Sequence, residues 1–117
     1  MGKHYTNLSI QDVFRKIKAD NPGYLLAFGA GDVFEFRGCD ANAVHEALPD
    51  VLFDTEVDFK RITVHKLAFF PFCARLKACG LKVAMVARHR VPGKRVYYEI
   101  SRQVGRVIRV GLCFRLH

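Results

Sequence analysis

A chain of 117 residues has room for one compact domain and too little for two. Half of the residues are hydrophobic and ten are Phe, which supplies a core and excludes a disordered tail-like protein. The formal net charge of +8 is carried entirely by the last third: residues 1–81 balance ten Lys/Arg against ten Asp/Glu, whereas residues 82–117 hold Lys82, Arg88, Arg90, Lys94, Arg95, Arg102, Arg106, Arg109 and Arg115 against Glu99 alone.

In chain order, Ser9-Ile10-Gln11-Asp12 reads as a capping box, and Ile10, Val13, Phe14 and Ile17 follow at helical spacing. Asp20-Asn21-Pro22-Gly23 stops that helix. Tyr24–Phe28 is an apolar strand, Gly29-Ala30-Gly31-Asp32 turns the chain, and Val33–Arg37 returns it as a β-hairpin. Alternation places Val33 and Glu35 on one face of the returning strand, with Phe34 and Phe36 on the other. A second helix begins at Asp40, turns Ala41, Val44 and Leu48 inward and ends at Pro49. Residues 51–64 read as strand material interrupted by a polar bend around Asp54–Phe59. Leu67, Phe69, Phe70, Cys73 and Leu76 mark a third helix with Gly80 as its C-cap, which puts Pro71 in its first turn or at a break before it. Leu81–Ala87 is a buried strand, Pro92-Gly93 a turn, and Arg95–Ile100 and Arg106–Val110 further extended segments. The order predicts an α+β, two-layer domain: a mixed β-sheet with helices packed on it.

Several functional classes are excluded by missing motifs. There is no phosphate-cradling G-x-x-x-x-G-K-[ST] loop and no G-x-S-x-G nucleophile elbow. Cys39, Cys73, Cys79 and Cys113 lack the paired spacing of a zinc site and read as reduced thiols, so neither metal nor other cofactor is expected. No apolar run reaches the length of a membrane span, and no apolar h-region follows Met1. A cytoplasmic protein without a membrane partner is the expectation.

Two stretches resemble the mismatch-recognition domain (domain I) of the DNA mismatch repair protein MutS. Phe14–Phe28 (FRKIKADNPGYLLAF) followed by Gly31-Asp32-Val33-Phe34-Glu35-Phe36 is similar to that domain's first helix, its Leu-rich strand and its Gly-Asp-Phe-Tyr-Glu hairpin. Phe72–Met85 (FCARLKACGLKVAM) is similar to its third helix, the terminal Gly and the strand that follows. The resemblance covers about residues 10–90, which leaves 91–117 as a basic C-terminal extension of a single domain spanning 1–117. It implies a non-catalytic module that binds duplex, mismatched or distorted DNA, with another chain as a possible source of clamp or ATPase functions. In the family the Phe of the hairpin wedges against a mispaired base and the Glu two residues on bonds to it. Here the Glu position is Glu35 and the wedge position is Val33, which has no π face and forgoes stacking worth about 1–3 kcal/mol.

The residues expected to meet nucleic acid are Val33, Phe34, Glu35 and Arg37 on the hairpin, and Arg88, Arg90, Lys94 and Arg95 in the basic third. Tyr97 and Tyr98 could add stacking. Two alternatives use the same residues differently. A protein-interaction module would keep the fold and direct its cations to an acidic partner rather than DNA. Less favoured is a Mg-dependent nuclease, because Pro49-Asp50 and Asp58-Phe59-Lys60 fit the sparse pattern Pro-Asp…Asp-x-Lys.

Overall fold

Leu25 to Phe28 are buried without alternation, the mark of a strand covered on both faces. The computed structural model, which describes residues 3–4, 10–90 and 96–102, shows this strand near the middle of a mixed sheet. The elements are β1 (Lys3–His4), α1 (Ile10–Asp20), β2 (Tyr24–Ala30), β3 (Val33–Arg37), α2 (Cys39–Ala47), β4 (Arg61–His65), α3 (Lys66–Ala78), β5 (Lys82–Arg90) and β6 (Val96–Ser101). The sheet order is β1-β6-β5-β2-β3-β4. β2 and β5 are parallel, and every other neighbouring pair is antiparallel.

The α+β class with a mixed sheet stands, but the helices divide between the two faces instead of forming one layer. Leu25, Ala27, Val83 and Met85 point to one side, where Phe69, Phe72, Cys73 and Leu76 of α3 and Ala41 and Val44 of α2 close the larger core. Their strand neighbours Leu26, Phe28, Ala84 and Val86 point to the other side, where Val13 and Ile17 of α1 join Tyr98 in a smaller core. The central strands are apolar on both faces, and one helical layer would have left one of those faces in water.

Three local expectations are revised. Of the 51–64 segment only residues 61–64 are strand, as part of β4 (Arg61–His65). Leu52 is 72% exposed, and the chain before β4 is held by Asp54: its N–H donates to the Arg61 carbonyl at 2.8 Å, and its carboxylate accepts from Arg61 Nε at 2.6 Å and from the Thr63 hydroxyl. Pro71 lies inside α3 rather than in its first turn. The helix begins earlier because the His65 ring accepts from the Leu67 N–H at 3.1 Å and caps it, which also leaves the carbonyl opposite the proline ring at an exposed helix start. Leu81 ends α3 rather than starting β5. With Gly80 at φ +84°, the Gly80 N–H donates to the Lys77 carbonyl and the Leu81 N–H to the Leu76 carbonyl, the paired bonds of a Schellman motif. The expected capping Ser9, the Pro92-Gly93 turn and the extended segment 106–110 lie outside the described residues.

Candidate nucleic-acid interface

The hairpin turn is tighter than its glycines suggest: Gly29 and Ala30 continue β2, and Gly31-Asp32 alone reverse the chain, with Gly31 at φ +66°. Register then fixes which side chains share a face. Phe28 pairs with Glu35 on one side and with Val86 on the other, so these three form a row. One pleat further toward the turn, Ala30 pairs with Val33 and Val33 with His65, and the same register brings Arg88 alongside. Arg90 follows one pleat beyond. Val33, Glu35, Arg37, Arg88 and Arg90 therefore share the face on which α1 packs, and Val33, Arg88 and Arg90 share its hairpin end.

On this face α1 covers β2, β5 and β6, while the side chains of β3 and β4 meet the segment that precedes β4. That part carries an ion-pair network. The Arg37 guanidinium donates twice to Glu35 Oε1, at 3.0 and 3.2 Å, and Arg61 approaches the other Glu35 oxygen at 3.9 Å. Arg61 also pairs with Asp54 at 2.6 Å and Glu56 at 3.4 Å, and its bond to Asp54 raises its pKa above the usual guanidinium value. Glu35 is thus a largely enclosed carboxylate with two cations against it, its side chain 14% exposed. Arg37 also lies over the ring of Phe59, 4.9 Å from its centroid.

Phe34 faces the opposite way. Its ring stacks on Phe69 of α3 with centroids 3.9 Å apart, and Phe36 beside it is fully buried against Phe72. Strand alternation demands this placement, and it removes Phe34 from the face that Val33 occupies. Arg88 and Arg90 are exposed, and neither forms an ion pair among the described residues. Lys94 and Arg95 lie outside those residues. The two tyrosines separate: Tyr98 is buried under α1, while Tyr97 stacks on His89 at 5.0 Å on the other face, where His89 also meets Glu99 at 3.0 Å.

Charge in the last third is also divided. Arg102 donates to Asn21 Oδ1 at 2.8 Å and to the Asp20 carbonyl at 3.2 Å, closing the end of α1. Arg102 and Lys82 both lie over the Tyr24 ring, at 5.1 and 5.0 Å. These two cations hold the α1–β2 corner, far from the hairpin turn. Sequence reasoning also missed Asp40, whose buried carboxylate accepts from the Leu26 N–H at 2.9 Å and from Lys18 Nζ at 2.7 Å. It satisfies β2 where β3 has already turned away. An aspartate just inside a helix start carries no local mark of such a partner.

The family model for MutS domain I matches residues 9–114. The chain belongs to the MutS domain I family. The match runs past the 10–90 span of the recognised motifs and takes in β6, which pairs with β5. A search of curated protein sequences returned no match. MutS domain I is a recognition module rather than a catalytic one. Of the residues in the nuclease pattern, Asp50 is bound to Arg75 at 2.9 Å, and both Asp50 and Asp58 sit in the irregular stretch between α2 and β4. Among the described residues no group of three or more His, Cys, Asp or Glu is placed to hold a metal ion. Cys73 is buried, which pushes its thiol up to about 12, whereas Cys39 and Cys79 are exposed. No helix among the described residues is long and apolar enough to cross a membrane.

Proposed function

We propose that this MutS domain I is a non-catalytic DNA-binding module that engages duplex DNA, and mismatched or distorted DNA in preference, through the hairpin end of the sheet. The observation that carries this reading is the convergence of Val33, Arg88 and Arg90 on one face at one end, within a family match that spans that hairpin. Arg88 and Arg90 would contact phosphates, and Val33 would sit against the groove. Lys94 and Arg95, which follow Arg90 in the chain, would extend the phosphate contacts. Glu35 meets a base only by giving up part of its bond to Arg37, so its contribution to discrimination is small. Phe34 serves the core and makes no DNA contact in this reading. Another chain would supply any clamp or ATPase function, and the site of action would be the cytoplasm.

Fluorescence-anisotropy titration of matched, mismatched and single-stranded oligonucleotides at two salt concentrations tests the proposal. Binding should be tightest to mismatched duplex and should weaken steeply with salt. Absence of binding to every oligonucleotide at low salt would overturn it in favour of a protein-interaction module, and equal affinity for matched and mismatched duplex would remove the mismatch preference.

A further inference from the structure

Gly29 is exposed although β2 is one of the two central strands of the sheet. It pairs regularly with Phe34, so no bulge requires a glycine, and its φ lies outside the left-handed region. A Cβ at this position would meet Phe34 Cε1 and the Val86 carbonyl oxygen, each at 3.6 Å, which are ordinary van der Waals contacts. Alanine therefore fits, and a glycine inside a strand costs stability relative to alanine. A strand glycine that the fold does not need marks a place where a ligand can approach the backbone.

The side chains around Gly29 define what could approach. Phe28 pairs with Val86, so the next residues, Gly29 and Ala87, lie side by side on the face that carries α3. The core under α3 takes in Val83 and Met85 of β5 and stops short of Ala87 and His89. This corner of the sheet is therefore a bare floor, with no side chain larger than a methyl. On one side of it stands His89, its ring stacked on Tyr97 at 5.0 Å and bonded at 3.0 Å to Glu99, the partner of Ala87. On the other side stands Phe34, stacked on Phe69 at 3.9 Å. A floor of this kind between aromatic rings suits a flat ring. The neighbouring charge gives the class of that ring. Arg88 and Arg90 flank His89 in the chain and project to the opposite face, exposed and without an ion pair among the described residues. At one level of the sheet, β5 thus offers cations on one face and an aromatic ring on the other.

We infer that this corner of the α3 face receives an unpaired nucleobase turned out of the DNA helix. The base stacks against the His89 ring above Gly29 and Ala87, while its phosphates stay with Arg88 and Arg90. The inference rests on the DNA-binding reading above. Gly29 is two residues, or about 7 Å at strand rise, from the Gly31-Asp32 turn around which the nucleotide passes. Glu99 spends one oxygen on His89, and its other oxygen has no bond among the described residues. That oxygen can accept from the exocyclic amino group of adenine, cytosine or guanine. Extruding a base costs least where its pairing is already lost. The site would thus favour mismatched and bulged positions by holding the displaced base, not by filling the space it leaves.

Anisotropy titration of the full chain with two duplexes at low salt tests this assignment, one holding a single unpaired adenine and the other an abasic residue at the same place. Wild type should bind the unpaired-adenine duplex about tenfold more tightly, the order that stacking one base on an aromatic ring supplies. Gly29→Val covers the floor with a side chain suited to a strand, and His89→Ala removes the ring. Each should bring the two affinities within about twofold of one another, since the stacking is lost. Both variants should still unfold cooperatively on heating, because neither residue belongs to either core. Equal wild-type affinity for the two duplexes, or a folded variant that keeps the tenfold preference, would overturn the base site while leaving DNA binding in place. A wild-type protein that binds neither duplex would overturn both readings.

Discussion

The two ends of the sheet use the same kinds of charged residue in opposite ways. At the end where β3 finishes and β2 begins, every cation described above has a partner: Lys18 has Asp40, Arg37 has Glu35, Arg61 has Asp54, and Arg102 has Asn21. At the hairpin end, Arg88 and Arg90 stand exposed with no ion pair among the described residues. The first arrangement spends charge on joining elements that meet only in the folded chain. The second keeps cations available for an outside anion, which holding the fold together does not require. Net charge does not separate the two, since Arg102 and Arg88 come from the same basic third.

The contrast can be broken most directly at Asp40. Replacing it by Ala strands the Leu26 N–H in the interior and leaves Lys18 beside an empty site, so urea unfolding should register a loss of about 3 kcal/mol. The folded variant should bind DNA within about twofold of wild type, because nothing at the hairpin end has changed. A loss under about 1 kcal/mol would mean the paired end tolerates stranded groups, and the distinction between the ends would fail. At the other end, the double variant Arg88→Ala, Arg90→Ala should leave the urea midpoint within about 0.5 kcal/mol of wild type. Its salt dependence of DNA binding should fall by about two in slope, one for each phosphate contact. An unchanged slope would remove both arginines from the interface.

Arg102→Ala sharpens the comparison, since this arginine shares the basic third but not the hairpin end. Its loss should cost about 1 kcal/mol in unfolding experiments, reflecting partly exposed charge-assisted bonds at the end of α1, and should leave the salt slope untouched. The smallest effect is expected at the surface pair Asp50–Arg75. The bond to Arg75 lowers the Asp50 pKa below the ordinary carboxylate value. A lowered folded pKa contributes stability above the unfolded value that disappears as pH falls through the folded one. Wild type and Asp50→Asn should therefore differ slightly at pH 7 and converge under strong acid. Because the pair is fully exposed, about 1 M salt should erase most of the difference. A gap that persists in strong acid would assign the effect to something other than this pair.

Much of the framework was legible from local signals. Asn21-Pro22-Gly23 and Gly80 marked the ends of α1 and α3, and the alternation through Val33–Arg37 set Phe34 and Phe36 on the face away from Val33, although Phe34 was also expected at the nucleic-acid surface and packs on Phe69 instead. The family was legible too, because its motifs are short runs that read the same before and after folding. The 51–53 stretch was misread as strand because its apolar residues look inward in sequence, whereas Leu52 is left in water by the Asp54 anchor that follows. Neither the two helical layers nor the exposure of Leu67 could be read from composition. Leu67 was read with the apolar residues that mark α3, yet it is exposed in the same first turn whose Phe69 is buried against Phe34.

By itself, then, the sequence determined the three helices and most of the central strands, the hairpin, the family and the concentration of positive charge in residues 82–117. Each of these depends on residues within a turn or a pleat of one another, where propensity and periodicity act directly. The tertiary structure decided which of those charges are consumed and which remain. Asp40 meets a backbone N–H fourteen positions before it, and Arg102 meets an asparagine eighty-one positions away. Such pairings follow from sheet order and register, and no local rule encodes them. The hairpin end stays available because the parallel pairing of β2 and β5 carries Arg88 and Arg90 to that end of the sheet, where they form no ion pair among the described residues.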